Sequence, residues 1–310
     1  MNAFKRLLIG LDLTVMDETV IHYAAFVARL VQAEHLYFLN VQPSLDLPEE
    51  LREEFPMFDQ PVAERFEADL RAAVARHYPG YETMQDRMSY AVVEGSARKE
   101  LLRWTHQHHI DLLVMGRKQT RHGSGLVPSQ VARKASCAIL FVPEQAKPQL
   151  RHIVVGCDFS DHAAMAVAEA LHLQQRAPER PRLTVQHVYQ VPMGYYKTGR
   201  TEAQFAAVMR QHADRHMHKF ADRHGFDLAQ AQVELTYDPD KTSPANLLSE
   251  YAHKHQADLL IVAARGHNML TALFLGSVAE KLIKFDADIP LLIIKRKDRS
   301  FDFQEMIEQI

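Results

Sequence analysis

Two glycines and a serine carry the clearest chemistry in this sequence: Gly266, nine intervening residues, then Gly276 and Ser277, within VAARGHNMLTALFLGSVAEKLI (262–283). Backbone that must approach a ligand closely is best built from residues without a Cβ. The hydroxyl beside the second glycine adds a donor. The apolar run before Gly266 reads as a strand and the pattern after Ser277 as a helix, so unpaired N–H groups and the positive end of a helix dipole converge there. Such a place binds anions and suits a phosphate chain. An acid closes another apolar run, Asp158 in VVGCDFSDHA (154–163).

The elements that must position these residues emerge from an internal repeat. KRLLIGLDL from Lys5 overlays RHIVVGCDF from Arg151, pairing Gly10 with Gly156 and Asp12 with Asp158. Further on, HHIDLLVMG overlays HQADLLIVA, pairing Asp111 with Asp258 and Gly116 with Ala263. Solenoid units recur every ~20–50 residues; here the repeat is nearly half of a 310-residue chain, so a whole domain is duplicated. In the second half, apolar runs predict strands near 152–158, 183–189, 232–237, 258–264 and 290–296, with helices near 161–175, 201–224, 243–255 and 275–285. Ser160 and Ser243 stand where helix caps belong. Continuous apolar strands alternating with helices indicate a parallel sheet covered on both faces. The expected fold is therefore α/β, two tandem doubly wound five-stranded domains. The linker PEQAKPQLR separates a domain over 1–145 from one over 150–298, with a tail over 299–310. In such sheets ligands bind beyond the carboxyl ends of the strands, where the winding reverses.

On these residues the second half resembles a universal stress protein domain of the ATP-binding kind. That family carries G-x-x-G, nine residues and G-[ST] after its fourth strand, and an Asp at the end of its first. Gly266, Gly276, Ser277 and Asp158 match, while Ala263 replaces the first glycine. The resemblance implies a Rossmann-like strand order 3-2-1-4-5 and ATP as ligand, with or without Mg, AMP and ADP being the alternatives. It further implies that Asp158 and Val188 lie by the adenine, Ala263 against the ribose and Val278 beside Ser277 at the phosphates. The added methyl of Ala263 is expected to weaken binding without abolishing it. Over nearly its whole length the chain resembles tandem universal stress proteins, which implies a nucleotide-dependent stress-response regulator. A ligand-free scaffold and an ATP-pyrophosphatase-type enzyme are the other readings. The latter needs a glycine-rich turn after the first strand, where this chain has GCDFSD and GLDLTV.

The first half departs from the pattern. Gly116 survives, but Gln119, Ser129 and Gln130 occupy the other three positions, and Pro128 precedes the helix entrance. The segment after its second strand is acidic, with Asp46, Glu49, Glu50, Glu53, Glu54 and Asp59. Its counterpart in the second half, VPMGYYKTGR, carries Lys197 and Arg200 with Tyr195 and Tyr196 and is expected to form a lid over the nucleotide.

A formal net charge of -3, 24% charged residues and no dense basic stripe argue against nucleic acid as a partner. No apolar run is long enough for a membrane span and no signal-peptide core opens the chain, so a cytoplasmic protein is expected. Cys137 and Cys157 fall inside apolar runs and read as buried thiols. His212 and His216, four apart on a helix, make half a zinc site without a third ligand, so metal is not expected. Nucleophile motifs and the P-loop are absent, which predicts no dedicated enzyme and at most slow ATP hydrolysis. The last strand of each half would leave an apolar edge open. The resemblance implies that these edges pair within the chain, near Leu140 and Ile293, as an intramolecular pseudo-dimer. A homodimer of the whole chain and an unknown protein partner remain open.

Overall fold

The computed structural model describes residues 4–44, 62–118, 126–265, 275–285 and 288–296. They divide into two compact units, one running to Pro148 and the other Gln149–Arg296. The sequence positions 299–310 lie outside the described residues.

Unit 1 runs β1 (Arg6–Leu11), α1 (Met16–Val31), β2 (His35–Gln42), α2 (Val62–His77), β3 (Met88–Glu94), α3 (Ala97–Gln107), β4 (Leu112–Arg117), α4 (Leu126–Lys134) and β5 (Ala138–Pro143). Every pairing is parallel and gives the order 3-2-1-4-5. Unit 2 repeats it with β6 (His152–Gly156), α5 (Asp161–Arg176), β7 (Arg182–Tyr189), α6 (Glu202–His224), β8 (Gln232–Tyr237), α7 (Pro244–Lys254), β9 (Leu259–Ala263), α8 (Ser277–Phe285) and β10 (Leu291–Ile294). Here β6 lies between β7 and β9, with β8 and β10 outside them. The winding reverses beside β1 and beside β6, which opens a crevice at the carboxyl ends of those strands.

Consecutive residues of the central strands are buried regardless of which face they point to. Leu7, Leu8 and Ile9 in β1, and Ile153, Val154 and Val155 in β6, have no measurable exposure. That is what helices on both faces of a parallel sheet produce. The repeated acids Asp111 and Asp258 hold the opposite end of each unit: their Oδ2 atoms accept the N–H groups of Lys5 and Arg6, and of Arg151 and His152, at 2.8–3.0 Å. These carboxylates fix where the first strand of each unit begins.

Helix starts in unit 2 are capped by side chains. Ser160 accepts the Ala163 N–H, Ser243 accepts the Ala245 N–H with Pro244 at the first helical position, and Thr201 forms a reciprocal capping box with Gln204. Each cap satisfies N–H groups that the helix cannot pair itself. Cys137 and Cys157 are both buried free thiols, and burial pushes Cys157 up to about 12.

Candidate functional site

In unit 2, β6 ends at Gly156, two residues short of the expected strand, because Asp158 turns the chain. Its Oδ1 accepts the Ser160 N–H at 3.1 Å and the Ser160 hydroxyl at 2.6 Å, and Phe159 between them takes a left-handed φ of 63°. The same Ser160 oxygen accepts the Ala163 N–H at 3.1 Å, so one side chain both caps α5 and aims Asp158. Asp158 stands exposed at the crevice mouth.

Beside it, Val188 is half-buried on β7, in register with Thr236. The preceding His187 bonds through Nδ1 to the Cys157 carbonyl at 2.8 Å. A carbonyl only accepts, so Nδ1 carries the proton. Burial holds the His187 pKa below its usual value, against the opposing influence of that bond and of Asp158. The ring lies 4.1 Å from that of Phe159.

The glycine end is held by a backbone clamp. Beyond Ala263, the Ala264 N–H donates to the Ile294 carbonyl at 2.8 Å, and the Gly276 N–H donates to the Ala264 carbonyl at 2.7 Å. The clamp sets the start of α8 against the end of β9. Gly276 therefore spends its own N–H on the fold. Glu280 donates to the Gly276 carbonyl at 2.9 Å as the first bond of α8, so the N–H groups of Ser277, Val278 and Ala279 precede the ladder and face outward along the helix axis. These are the donors an anion would meet. Gly266 lies outside the described residues.

Lys197 and Arg200 occupy the loop after β7, with exposed side chains. A 3₁₀ turn, Tyr195–Thr198, sits between Gly194 and Gly199, whose φ values of 87° and 70° are left-handed. Its tie to the body runs through Glu202, which accepts the Tyr195 hydroxyl at 3.4 Å and the Tyr237 hydroxyl at 2.5 Å. The second bond pushes Tyr237 up to about 12. The structure thus gathers Asp158, Val188, Ala263, Gly276, Ser277 and Val278 at one end of one sheet. Lys197 and Arg200 sit on a loop leaving that end.

Unit 1 fills the corresponding place with its own side chains. Lys118 Nζ donates to Asp12 Oδ2 at 2.6 Å and the Thr14 hydroxyl to Asp12 Oδ1 at 2.5 Å. Burial works to raise the Asp12 pKa, but these bonds outweigh it and hold the carboxyl below its usual range. The helix also starts earlier than the overlay suggests. Because α4 begins at Leu126, Pro128 belongs to its first turn, and Ser129 and Gln130 lie inside the helix where unit 2 has Gly276 and Ser277 at the entrance. Gln130 Oε1 is taken by Arg98 at 3.1 Å. Gln119 and the acidic segment from Asp46 to Asp59 lie outside the described residues.

Sequence reasoning missed His162 and Arg265. His162 is in the first turn of α5, half-buried, its pKa lowered by burial and next by Arg265, with Asp158 and Asp161 opposing. The usable signal was in the overlay, which sets His162 against the apolar Met16. The His212 and His216 rings are 4.0 Å apart, and His216 meets Phe159 edge-on at 5.8 Å. Among the described residues no group of three or more His, Cys, Asp or Glu could hold a metal, and no helix is long and apolar enough to cross a membrane.

A model of the universal stress protein family matches residues 3–143 and again 149–295. A universal stress protein of Methanocaldococcus jannaschii is 43% identical over 53 residues, 17% of this chain and 31% of that protein. The stress response protein NhaX of Bacillus subtilis is 37% identical over 68 residues, 22% of this chain and 40% of that protein. The chain thus spans about a third and two fifths of the lengths of these curated relatives. Among solved structures, a Pseudomonas aeruginosa protein of unknown function superimposes with a TM-score of 0.64 at 15% identity, covering 99% of this chain and 98% of its own. A universal stress protein from Archaeoglobus fulgidus gives 0.63 at 16% identity, covering 94% of this chain and 98% of its own. At these identities the structures speak for the fold.

Proposed function

Because the chain belongs to the universal stress protein family, we propose that it binds one adenine nucleotide, ATP, in unit 2 and acts as a nucleotide-dependent regulator of a stress response in the cytoplasm. The observation that carries this reading is the Ala264–Gly276 clamp, which presents the uncommitted N–H groups at the start of α8 to a crevice whose other wall ends in Asp158. In the resulting arrangement Asp158 and Val188 take the nucleoside end and Ala263 lies against the ribose. Gly266, Gly276, Ser277 and Val278 serve the phosphates, and Lys197 and Arg200 close over them from the loop after β7. Mg, where it accompanies ATP, would sit among the phosphates; AMP or ADP would use the same nucleoside contacts with fewer phosphate ones. Unit 1 contributes no nucleotide site, since Lys118 already satisfies the charge of Asp12 and α4 starts a turn early.

The proposed role of ATP is that of a bound signal with at most slow hydrolysis. The reading leaves room for a homodimer of the whole chain or a protein partner.

The test is the nucleotide content of freshly purified protein, followed by calorimetric titration. One ATP per chain is expected. Gly276→Gln should remove most ATP affinity by crowding the helix entrance, each lost charge-assisted hydrogen bond being worth roughly 1.5–3 kcal/mol. Asp158→Ala should weaken ATP and adenosine alike, whereas Asp12→Ala and Ser129→Ala should change neither. Two sites per chain, or unaltered affinity in Gly276→Gln, would show that the site is misplaced, and a chain that never binds nucleotide would leave the scaffold reading.

A further inference from the structure

The carboxyl end of the unit 2 sheet gathers charges beyond those assigned above. Ile294 of β10 is in register with Ala263 of β9, and Arg296 and Arg265 each follow two residues beyond these paired strand ends. Val155 of β6 is in register with Ile261 of β9, so the turn that carries Asp158 leaves β6 at the same end of the sheet as Ala264. Adjacent strands run roughly 4.8 Å apart, so the ends of these strands form one short row. Helix α5 packs on β9, β6 and β10, and its first turn carries Asp161 and His162 to that row. The charges that act on His162 are Arg265 from the end of β9, Asp158 from the β6 turn, Asp161 from its own helix and Arg296 from the end of β10. From α6, His224 Nε2 approaches Asp161 at 3.6 Å, and His187 of β7 faces Asp158.

The repeat supplies an independent observation. In unit 1 the position of His162 is held by Met16, which is 6% exposed. A Cβ placed on Gly116 would come within 2.8 Å of the Met16 Sδ and Cε. An apolar plug over a glycine in unit 1 is thus exchanged, at the equivalent positions of unit 2, for an imidazole and an alanine, His162 and Ala263. Packing alone has no use for an ionisable ring whose charge two guanidinium groups disfavour. An arriving phosphate chain does.

Resting on the nucleotide reading above, we infer that His162 and Arg265 together recognise the phosphate end of the nucleotide, His162 taking up a proton as the anion binds. In the free protein, burial and Arg265 disfavour the imidazolium. The bound anion favours it. At any pH between the two resulting pKa values, binding draws in a proton and tightens as pH falls, by at most about tenfold per pH unit for one proton. Adenosine brings no anion and gains nothing.

His162→Met provides the test, because the other unit accommodates methionine at the same place. ATP and adenosine would be titrated calorimetrically at pH 6, 7 and 8 in the wild-type protein and in the variant. The ionisation of ATP itself is common to both proteins and cancels in their ratio. The wild type is expected to gain on the variant for ATP by about three- to tenfold per pH unit as pH falls, with no such gain for adenosine. Parallel pH profiles for the two proteins would overturn the inference and leave the nucleotide reading standing, whereas no binding of either ligand at any pH would remove both. A second measurement needs no variant: inorganic tripolyphosphate should move the titration of the His162 ring protons, followed by NMR, to higher pH. An unmoved titration would overturn the inference.

Discussion

Ser160→Ala tests how the fold and the proposed site are joined, since Ser160 makes one hydrogen bond for each. Its oxygen accepts the Ala163 N–H at 3.1 Å and its proton goes to Asp158 Oδ1 at 2.6 Å. Losing an N-cap acceptor costs about 1 kcal/mol. The bond to a carboxylate would add roughly 1.5–3 kcal/mol were it fully buried, but Asp158 is exposed, and water replacing the donor brings that to about 0.5–1 kcal/mol. The sum, about 1.5–2 kcal/mol, should lower the melting temperature of unit 2 by about 3–8 °C, at roughly 2–4 °C per kcal/mol for a chain of this size. Asp158 would also lose the contact that aims it, and about tenfold in adenosine affinity, near 1.4 kcal/mol, should go with it. Thr14→Ala is the internal control: Thr14 bonds Asp12, but α1 has no side-chain cap and Asp12 keeps Lys118. Its effect should stay under about 0.5 kcal/mol. Ser160→Thr should restore both properties. Scanning calorimetry with and without adenosine reads the two effects separately. Equal losses in Ser160→Ala and Thr14→Ala, or a full drop in stability with adenosine affinity untouched, would refute the reasoning.

Replacing Lys197 and Arg200 together by Ala should weaken ATP about three- to tenfold, as exposed charges are each worth up to about 1 kcal/mol, and leave adenosine unchanged; equal losses for both ligands would exclude a phosphate contact. His152 is buried, bonded to Thr184 Oγ1 at 3.0 Å and to Arg182 Nη2 at 2.8 Å, and burial first, with Arg182 helping, holds its pKa below the ordinary value. The unfolded chain then binds the extra proton first, so stability is complete above pH ~6.5 and falls as pH drops through the lowered pKa. His152→Gln should flatten that fall in melts between pH 8 and 5, and parallel curves would count against it. Cysteines placed at Leu140 and Ile293 in a background lacking Cys137 and Cys157 should crosslink within one chain if the last strands of the units pair, and segments too remote to crosslink would exclude that pairing.

The fold was legible because parallel strands buried on both faces read as unbroken apolar runs, and because serines and prolines mark helix starts by their own chemistry. Ser160, Ser243 and the repeated Asp111 and Asp258 all act locally or at a strand start, within reach of pattern reading. What escaped depended on contacts between distant residues or on backbone geometry. The Lys118–Asp12 pair joins positions 106 apart, and a gapless overlay cannot show that α4 begins a turn before its counterpart. The Ala264 carbonyl takes the Gly276 N–H, a backbone pairing that no residue pattern announces. His162 has no motif of its own; only the identity of what faces it gives it meaning.

The self-satisfied carboxylate of unit 1 bears on how duplicated proteins are compared. Asp12 keeps the residue type, the strand-end position and even the neighbouring hydroxyl of its twin, so a search keyed to that acid would score both copies as binders. Yet in unit 1 that acid already has its counter-charge, Lys118, within the fold. After duplication, the same atom can be retained for different reasons, in one copy for a bond within the fold and in the other, on the proposed reading, for a ligand. Inheritance of a motif residue is then informative only together with the identity of its counter-charge, which here is read at position 118 rather than at position 12.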